Sequence, residues 1–521
     1  MSQSLPGDWL HVIHAWPTKT RHEALAHSSS GMRKIAYHSF TMGRRAVGYG
    51  LFGILVTLLA VGILALNKRP DLSIWHKVDL DEEFTRDSGI KDFTEYLQLE
   101  DRLFAQLEEK VYKKTGTADA YSINRYQHGS MMDPTAMEPN WNRTFEFTSK
   151  DPQAGILLLH GMSDSPYSLH HLGKSLHASG ASVIGLRIPG HGTAPSGLVE
   201  VTWQDMAAAV RLAMEHLHAS VGDKPIYLVG YSNGGALAVH YALETITDPK
   251  LPKVDGIVLL SPEIGVSPAA SMAVWQGRFG HWFGLEKLAW NSISLEYDPY
   301  KYSSFAVNAG DQAHRITTYI DQRIKLLAEE SKLDAFPPTL AFQSAVDTTV
   351  SAPELVSRLF ERLPDRGHEL VLFDLNRGKV AQHLLTENVV KDLADRLKGD
   401  TQPFTLTVLT NRERGNEAAP QIRIHRRLAN QTHTDISDSG MTWPEGIFSL
   451  SHIALPFPPT DPLYGDGGGG KAVTLGNLAL RGERGAIRIA PAEMLRQRWN
   501  PFYSWLEERT HEFCRLTVPE R

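Results

Sequence analysis

Residues 226–243 read IYLVGYSNGGALAVHYAL, and the organisation of the chain follows from that stretch. An apolar run, Ile226 to Val229, leads into Gly230-Tyr231-Ser232-Asn233-Gly234, and a helical pattern of small and apolar residues follows at once. This is a G-x-S-x-G placed between a strand and a helix. Such a turn is so tight that the serine takes strained backbone angles, and the glycines beside it let neighbouring backbones approach without a Cβ clash. The hydroxyl of Ser232 is then expected to stand at the carboxyl end of a sheet, near the positive end of a helix dipole, as a nucleophile.

Working outward, the same rhythm repeats on both sides. Short apolar runs at 155–160 (GILLLH), 182–187 (SVIGLR), 256–261 (GIVLLS), 339–347 (TLAFQSAVD) and 370–375 (LVLFDL) alternate with amphipathic stretches such as 168–180 and 203–220. Continuous apolar strands separated by helices predict an α/β fold with a mostly parallel sheet covered on both faces. His160-Gly161-Met162 closes the first run, where a loop can donate a backbone N–H to an oxyanion. Met162 and Asn233 are the two expected donors. His160 is read as a prop for that loop and His191, in the following peptide, as a structural residue.

The stretches HGMSDSPYS (160–168), RIPGHGTAP (187–195) and GYSNGG (230–235) together resemble the α/β-hydrolase superfamily, in its lysophospholipase, monoacylglycerol-lipase and serine-aminopeptidase-like branch. The close likeness covers about 155–262, weakens through 265–335 and returns in shorter pieces. It implies a bacterial source, a Ser–acid–His triad in that chain order, a cap over the site, and no cofactor. Asp347, at the end of its apolar run, is the expected acid, with Glu263 one strand earlier as the alternative. His452, in SLSHIALPF, is the expected base, at the expense of a long insertion after Asp347. His383 has the more usual spacing but lies in a helical pattern, and His368 lies at the wrong end of its strand. A Ser232–Asp347–His452 set would cleave an acyl bond through an acyl-enzyme, with a lipid or acylglycerol-type ester favoured as substrate. A peptidase, an acyltransferase and a noncatalytic binding protein of the same fold are the alternatives.

The 521 residues are 42% apolar and 21% charged, with a net charge of −6. That balance argues against a nucleic-acid binder, and the single cysteine, Cys514, excludes an intrachain disulfide or a cysteine-based zinc site. No HExxH, EF-hand spacing or strand–GxGxxG–helix unit is present, so neither metal nor nucleotide cofactor is expected.

Residues 46–66, AVGYGLFGILVTLLAVGILAL, carry no charge over 21 positions, long enough for a single transmembrane helix. Arg33, Lys34, Arg44 and Arg45 precede it, favouring a cytoplasmic N-terminus and a periplasmic catalytic part at a bacterial inner membrane. Residues 1–45 read as a disordered tail, within which Met42 is an alternative start ahead of an export signal. Residues 67–140 form a stalk or amphipathic helical segment, with Phe93, Tyr96, Leu97, Leu103, Phe104, Leu107 and Val111 on one stripe. The hydrolase domain spans 141–521, with an aromatic-rich cap insertion at about 265–335 and a second insertion at about 376–445. Oligomeric state and acyl-chain preference are not legible.

Overall fold

The computed structural model describes residues 40, 42, 44–54, 56, 57, 60–62, 64, 67–119, 121–265, 286–376, 401–411, 421–467, 474–477 and 491–518. Ten described strands make one sheet, in the order β1-β3-β2-β4-β5-β8-β9-β10-β11-β12. They are β1 (Phe145–Phe147), β2 (Gly155–Leu159), β3 (Ser182–Leu186), β4 (Ile226–Tyr231), β5 (Gly256–Leu260), β8 (Thr339–Ser344), β9 (Glu369–Phe373), β10 (Thr405–Asn411), β11 (Gln421–Arg427) and β12 (Asp435–Thr442). A separate pair joins β6 (Trp290–Ser292) to β7 (Phe305–Ala306). From β3 to β10 the ladder is parallel, and β1, β11 and β12 add antiparallel edges.

Parallel strands need crossovers, and helices supply them. The described helices used below are α1 (Phe93–Leu107), α2 (His170–Ala178), α3 (Trp203–Val221), α4 (Asn233–Thr245), α5 (Val307–Glu329), α6 (Ala352–Arg358) and α7 (Tyr503–Phe513). Alternate strand side chains feed two separate cores, as the two-residue period of a strand requires. Leu157, Ile184, Leu228, Ile257, Ala341 and Leu370 face a layer containing Ala213 of α3, Leu237 of α4, Ile320 of α5 and Leu355 of α6. Their neighbours Ile156, Val183, Val229, Val258, Leu340 and Val371 face Leu172 and Leu176 of α2 and Leu506 of α7. With both faces covered, the strands are buried throughout their length, which is why they read as unbroken apolar runs. This is the α/β-hydrolase arrangement.

The two stretches expected as insertions are described in part. Within 265–335, residues 266–285 lie outside the described residues, and with them Trp275, Phe279, Trp282 and Phe283. The second half of that stretch holds α5, whose Ile316, Ile320, Ile324 and Leu327 are buried in the layer over the sheet. Within 376–445, the described strands are β10, β11 and β12, which widen the central sheet. The amphipathic stripe at 93–111 forms α1 and a following turn of π-helix, with Asp92 capping the first turn through Glu95 N–H. Phe93, Tyr96 and Leu99 enter the first core, while Leu97 of the expected stripe is only partly buried.

The described residues from Pro70 onward form one compact unit, and those up to Arg69 form another. In the latter, the described residues between 40 and 67 are helical, and Leu51, Phe52, Ile54, Val61 and Leu64 are more than half exposed. The membrane-crossing helix expected over 46–66 does not emerge. Among the described residues no helix is long and apolar enough to cross a membrane, and six positions of that run (55, 58, 59, 63, 65 and 66) lie outside them. The tail up to residue 39 also lies outside the described residues.

Candidate active site

Ser232 sits between β4 and α4 with φ +54° and ψ −118°, a left-handed conformation that a non-glycine residue adopts only when its surroundings impose it. They do so here. The Ser232 N–H donates to the Leu260 carbonyl at 3.0 Å, and the Ser232 carbonyl accepts from the N–H groups of Gly235 and Glu263, both at 2.9 Å. A Cβ on Gly234 would stand 2.0 Å from the Leu159 carbonyl oxygen, and one on Gly230 2.4 Å from that of Gly234. Backbone therefore fills the space at both flanking positions, and only glycine fits.

Asp347 and His452 meet. Nδ1 of His452 lies 3.0 Å from Oδ2 of Asp347, and both residues are 5% exposed. The same oxygen accepts from the Gln343 amide at 3.0 Å, while Oδ1 accepts from the N–H groups of Thr349 and Val350. Burial by itself would raise this carboxyl. The adjacent His452 ring and those backbone donors outweigh it and hold Asp347 below the usual carboxylate value. A carboxylate so fixed orients the ring with Nδ1–H toward it, leaving Nε2 free to accept a proton.

The loop carrying His452 is tied to the sheet it must serve. Ser344, the last residue of β8, donates through its hydroxyl to the Leu450 carbonyl at 2.8 Å. Asn376, just past β9, donates its N–H to the Phe448 carbonyl at 2.8 Å. The imidazole rests against Tyr231, the residue before Ser232, with ring centroids 5.4 Å apart.

The third component is the loop after β2. His160 accepts the Ile188 N–H on Nε2 at 3.0 Å, so its proton is on Nδ1, which donates to the Gly161 carbonyl at 2.9 Å. Burial drives His160 well below the ordinary histidine value, so it stays neutral as a fixed brace. Gly161 lies directly behind Ser232, since a Cβ there would stand 3.1 Å from the Ser232 Cβ. Among the described residues, the N–H groups of Met162 and Asn233 find no hydrogen-bond partner. The Asn233 N–H heads α4, where an intrahelical acceptor does not exist.

The remaining sequence candidates lie elsewhere. His191 donates from Nδ1 to the Pro189 carbonyl, and burial lowers it to about 4. Glu263 shares the elbow only through its backbone, and no bond among the described residues joins its carboxyl to His452. His368 stands before β9, at the opposite end of the parallel ladder from Ser232, and its ring is buried there. His383 lies outside the described residues. Lys301 and Asp164, which pair at 3.1 Å beside this site, had no distinguishing sequence signal beyond the place of Asp164 within HGMSDSPYS.

A parallel sheet with a serine elbow at its carboxyl edge and a buried Asp–His pair beside it defines the α/β-hydrolase class. Residues 150–377 match the family described as serine aminopeptidase, S33. Over 125 residues the chain is 26% identical to a thermostable monoacylglycerol lipase of Bacillus sp. strain H-257, covering 24% of this chain and 47% of that protein. Over 124 residues it is 27% identical to phospholipase YtpA of Bacillus subtilis strain 168, covering 24% and 46%. The chain thus spans about half the length of the curated relatives it matches. Among solved structures it is similar to a monoacylglycerol lipase of Paleococcus ferrophilus, at 18% identity and a TM-score of 0.34, covering 49% of this chain and 95% of that one.

Proposed function

We propose that this protein is a serine hydrolase that cleaves carboxylic esters, with lipid or acylglycerol-type esters favoured as its substrates. The observation that carries the reading is the 3.0 Å Asp347–His452 contact, set against the residue preceding a serine held at φ +54°. In this mechanism Nε2 of His452 takes the Ser232 proton as Oγ attacks the acyl carbonyl. The N–H groups of Met162 and Asn233 receive the oxyanion. His452 then protonates the leaving alcohol, Asp347 stabilises the imidazolium, and water repeats the route to release the acid. An acyl-lipid substrate is supported by the names of the two curated relatives, a monoacylglycerol lipase and a phospholipase. The description of the matching family favours a second reading, peptide-bond cleavage by the same groups.

The deciding experiment labels the protein with a fluorophosphonate and compares it with Ser232→Ala. Labelling of the native protein alone supports the assignment, and labelling that survives the substitution removes Ser232 as nucleophile. Turnover of monoolein against an aminoacyl p-nitroanilide then separates ester from amide cleavage.

A tether is the second part of the proposal. The exposed apolar side chains between residues 47 and 64 support holding the chain at a bacterial inner membrane, with the part from Pro70 onward in the periplasm. Release of the full-length protein from membranes by alkaline carbonate would overturn it.

A further inference from the structure

The loop that carries the Met162 N–H is strained, since Ser163 sits at φ +61°. A non-glycine residue in that region keeps its conformation only under outside constraint. Two consecutive residues from another part of the chain supply it. Tyr302 donates its N–H to the Ser163 carbonyl at 2.8 Å, and Lys301 places its ammonium 3.1 Å from Oδ2 of Asp164.

Lys301 is itself held. Its N–H and that of Tyr300 both donate to Oδ1 of Asp298, and the Tyr464 hydroxyl donates to the same oxygen at 2.5 Å. The buried guanidinium of Arg125 donates to the carbonyls of Asp298 and Lys301 at 3.1 and 3.2 Å. The ammonium then faces three rings, those of Phe457 at 5.0 Å and of Tyr231 and Tyr464 at 5.6 Å each. Tyr231 precedes the nucleophile, Phe457 and Tyr464 follow His452 on its loop, and Asp164 follows Met162. A single cation therefore touches all three segments that must keep register, and ring faces attract a cation as a carboxylate does.

We propose that Lys301 is a positioning residue, whose ammonium holds the oxyanion loop in register with Ser232 and His452. The proposal rests on the hydrolase reading above. It adds a group that touches neither substrate nor reacting atoms and acts on the rate through the placement of the Met162 N–H.

The test uses full-length protein and p-nitrophenyl butyrate, with Lys301→Met, Lys301→Arg, Asp164→Asn and the double variant Lys301→Met/Asp164→Asn. Each single neutral variant strands a buried charge and risks the fold, whereas the double variant strands none. In the double variant kcat is expected to fall roughly 10- to 100-fold with KM within about threefold, because the oxyanion contact exists only in the transition state. Affinity for a trifluoromethyl ketone, which forms an oxyanion on Ser232, falls in parallel, and Lys301→Arg recovers most of the rate. A folded double variant with near-native kcat overturns the proposal, as does a loss confined to KM or one that only tracks loss of the fold by thermal unfolding. Native protein that takes no fluorophosphonate at Ser232 refutes the hydrolase reading instead, so the two failures are distinguishable.

Discussion

At the scale of single residues, the site is built from groups whose neighbours leave them no alternative. Asp347 accepts three hydrogen bonds besides that of His452, so Asp347→Asn keeps the shape but lets the amide favour the wrong imidazole tautomer. A loss of about 10⁴ in kcat with an unchanged melting temperature is expected, measured by steady-state kinetics and calorimetry. Gly161 has the Ser232 and Tyr231 side chains where a methyl would go, each 3.1 Å away. Gly161→Ala should therefore displace the oxyanion loop and lower kcat on the order of 10²-fold, more than it raises KM. Glu263 reports on stability. Burial alone raises its carboxyl from 4.5 to about 7, and among the described residues its Oε2 has no hydrogen-bond partner. The native state thus binds a proton that the unfolded chain releases above pH 4.5, and stability falls as pH rises from there, levelling off above pH 7. Glu263→Gln removes that cost, so the variant should be more stable than the native protein at pH 8, on the order of 1–3 kcal/mol, and equal to it at pH 4. Urea unfolding at the two pH values checks it, and an equal gain at both would refute the ionisation.

At the scale of elements, α1 shows how a helix legible from its stripe acquires its place from residues that carry no pattern. The apolar spacing from Phe93 to Val111 specifies a helix with one buried face. What locks it is Arg187, wholly buried at the end of β3, which pairs with Glu100 of α1 at 3.1 Å and with Glu83 at 3.0 Å. The Tyr96 hydroxyl adds a bond to the Arg187 carbonyl at 2.6 Å. Removing the guanidinium strands the buried Glu100 carboxylate and takes the partner from the partly exposed Glu83. Arg187→Met is thus expected to destabilise the protein by about 3–5 kcal/mol, read by chemical denaturation. The strand runs from 155 to 373 were legible for a simpler reason, because burial on both faces demands apolar residues at every position. β11 and β12 were not legible, being an edge on which Arg423, Arg426, Arg427, Asp435 and Asp438 interrupt any apolar pattern and the first four residues of β12 are all exposed.

At the scale of the whole molecule, the division after Arg69 separates the first unit from the one that holds Ser232, Asp347 and His452. A chain beginning at Pro70 is expected to fold and to turn over p-nitrophenyl butyrate at the full-length rate. Its failure to fold would show that the first unit contributes to the core.

Contiguous residues alone determined the elbow. A strand, a G-x-S-x-G and a helix are local signals, and backbone crowding at Gly230 and Gly234 admits no other residue. The parallel sheet and the loop after β2 followed from similarly local patterns. Which histidine meets Asp347 was a matter for the tertiary structure. The contact joins residues 105 positions apart, and it exists because Ser344 and Asn376 pin the returning loop to the ends of β8 and β9. The same holds for Lys301, an unremarked lysine in sequence that gathers three segments around one charge, since proximity across a fold leaves no periodicity in the chain that produces it.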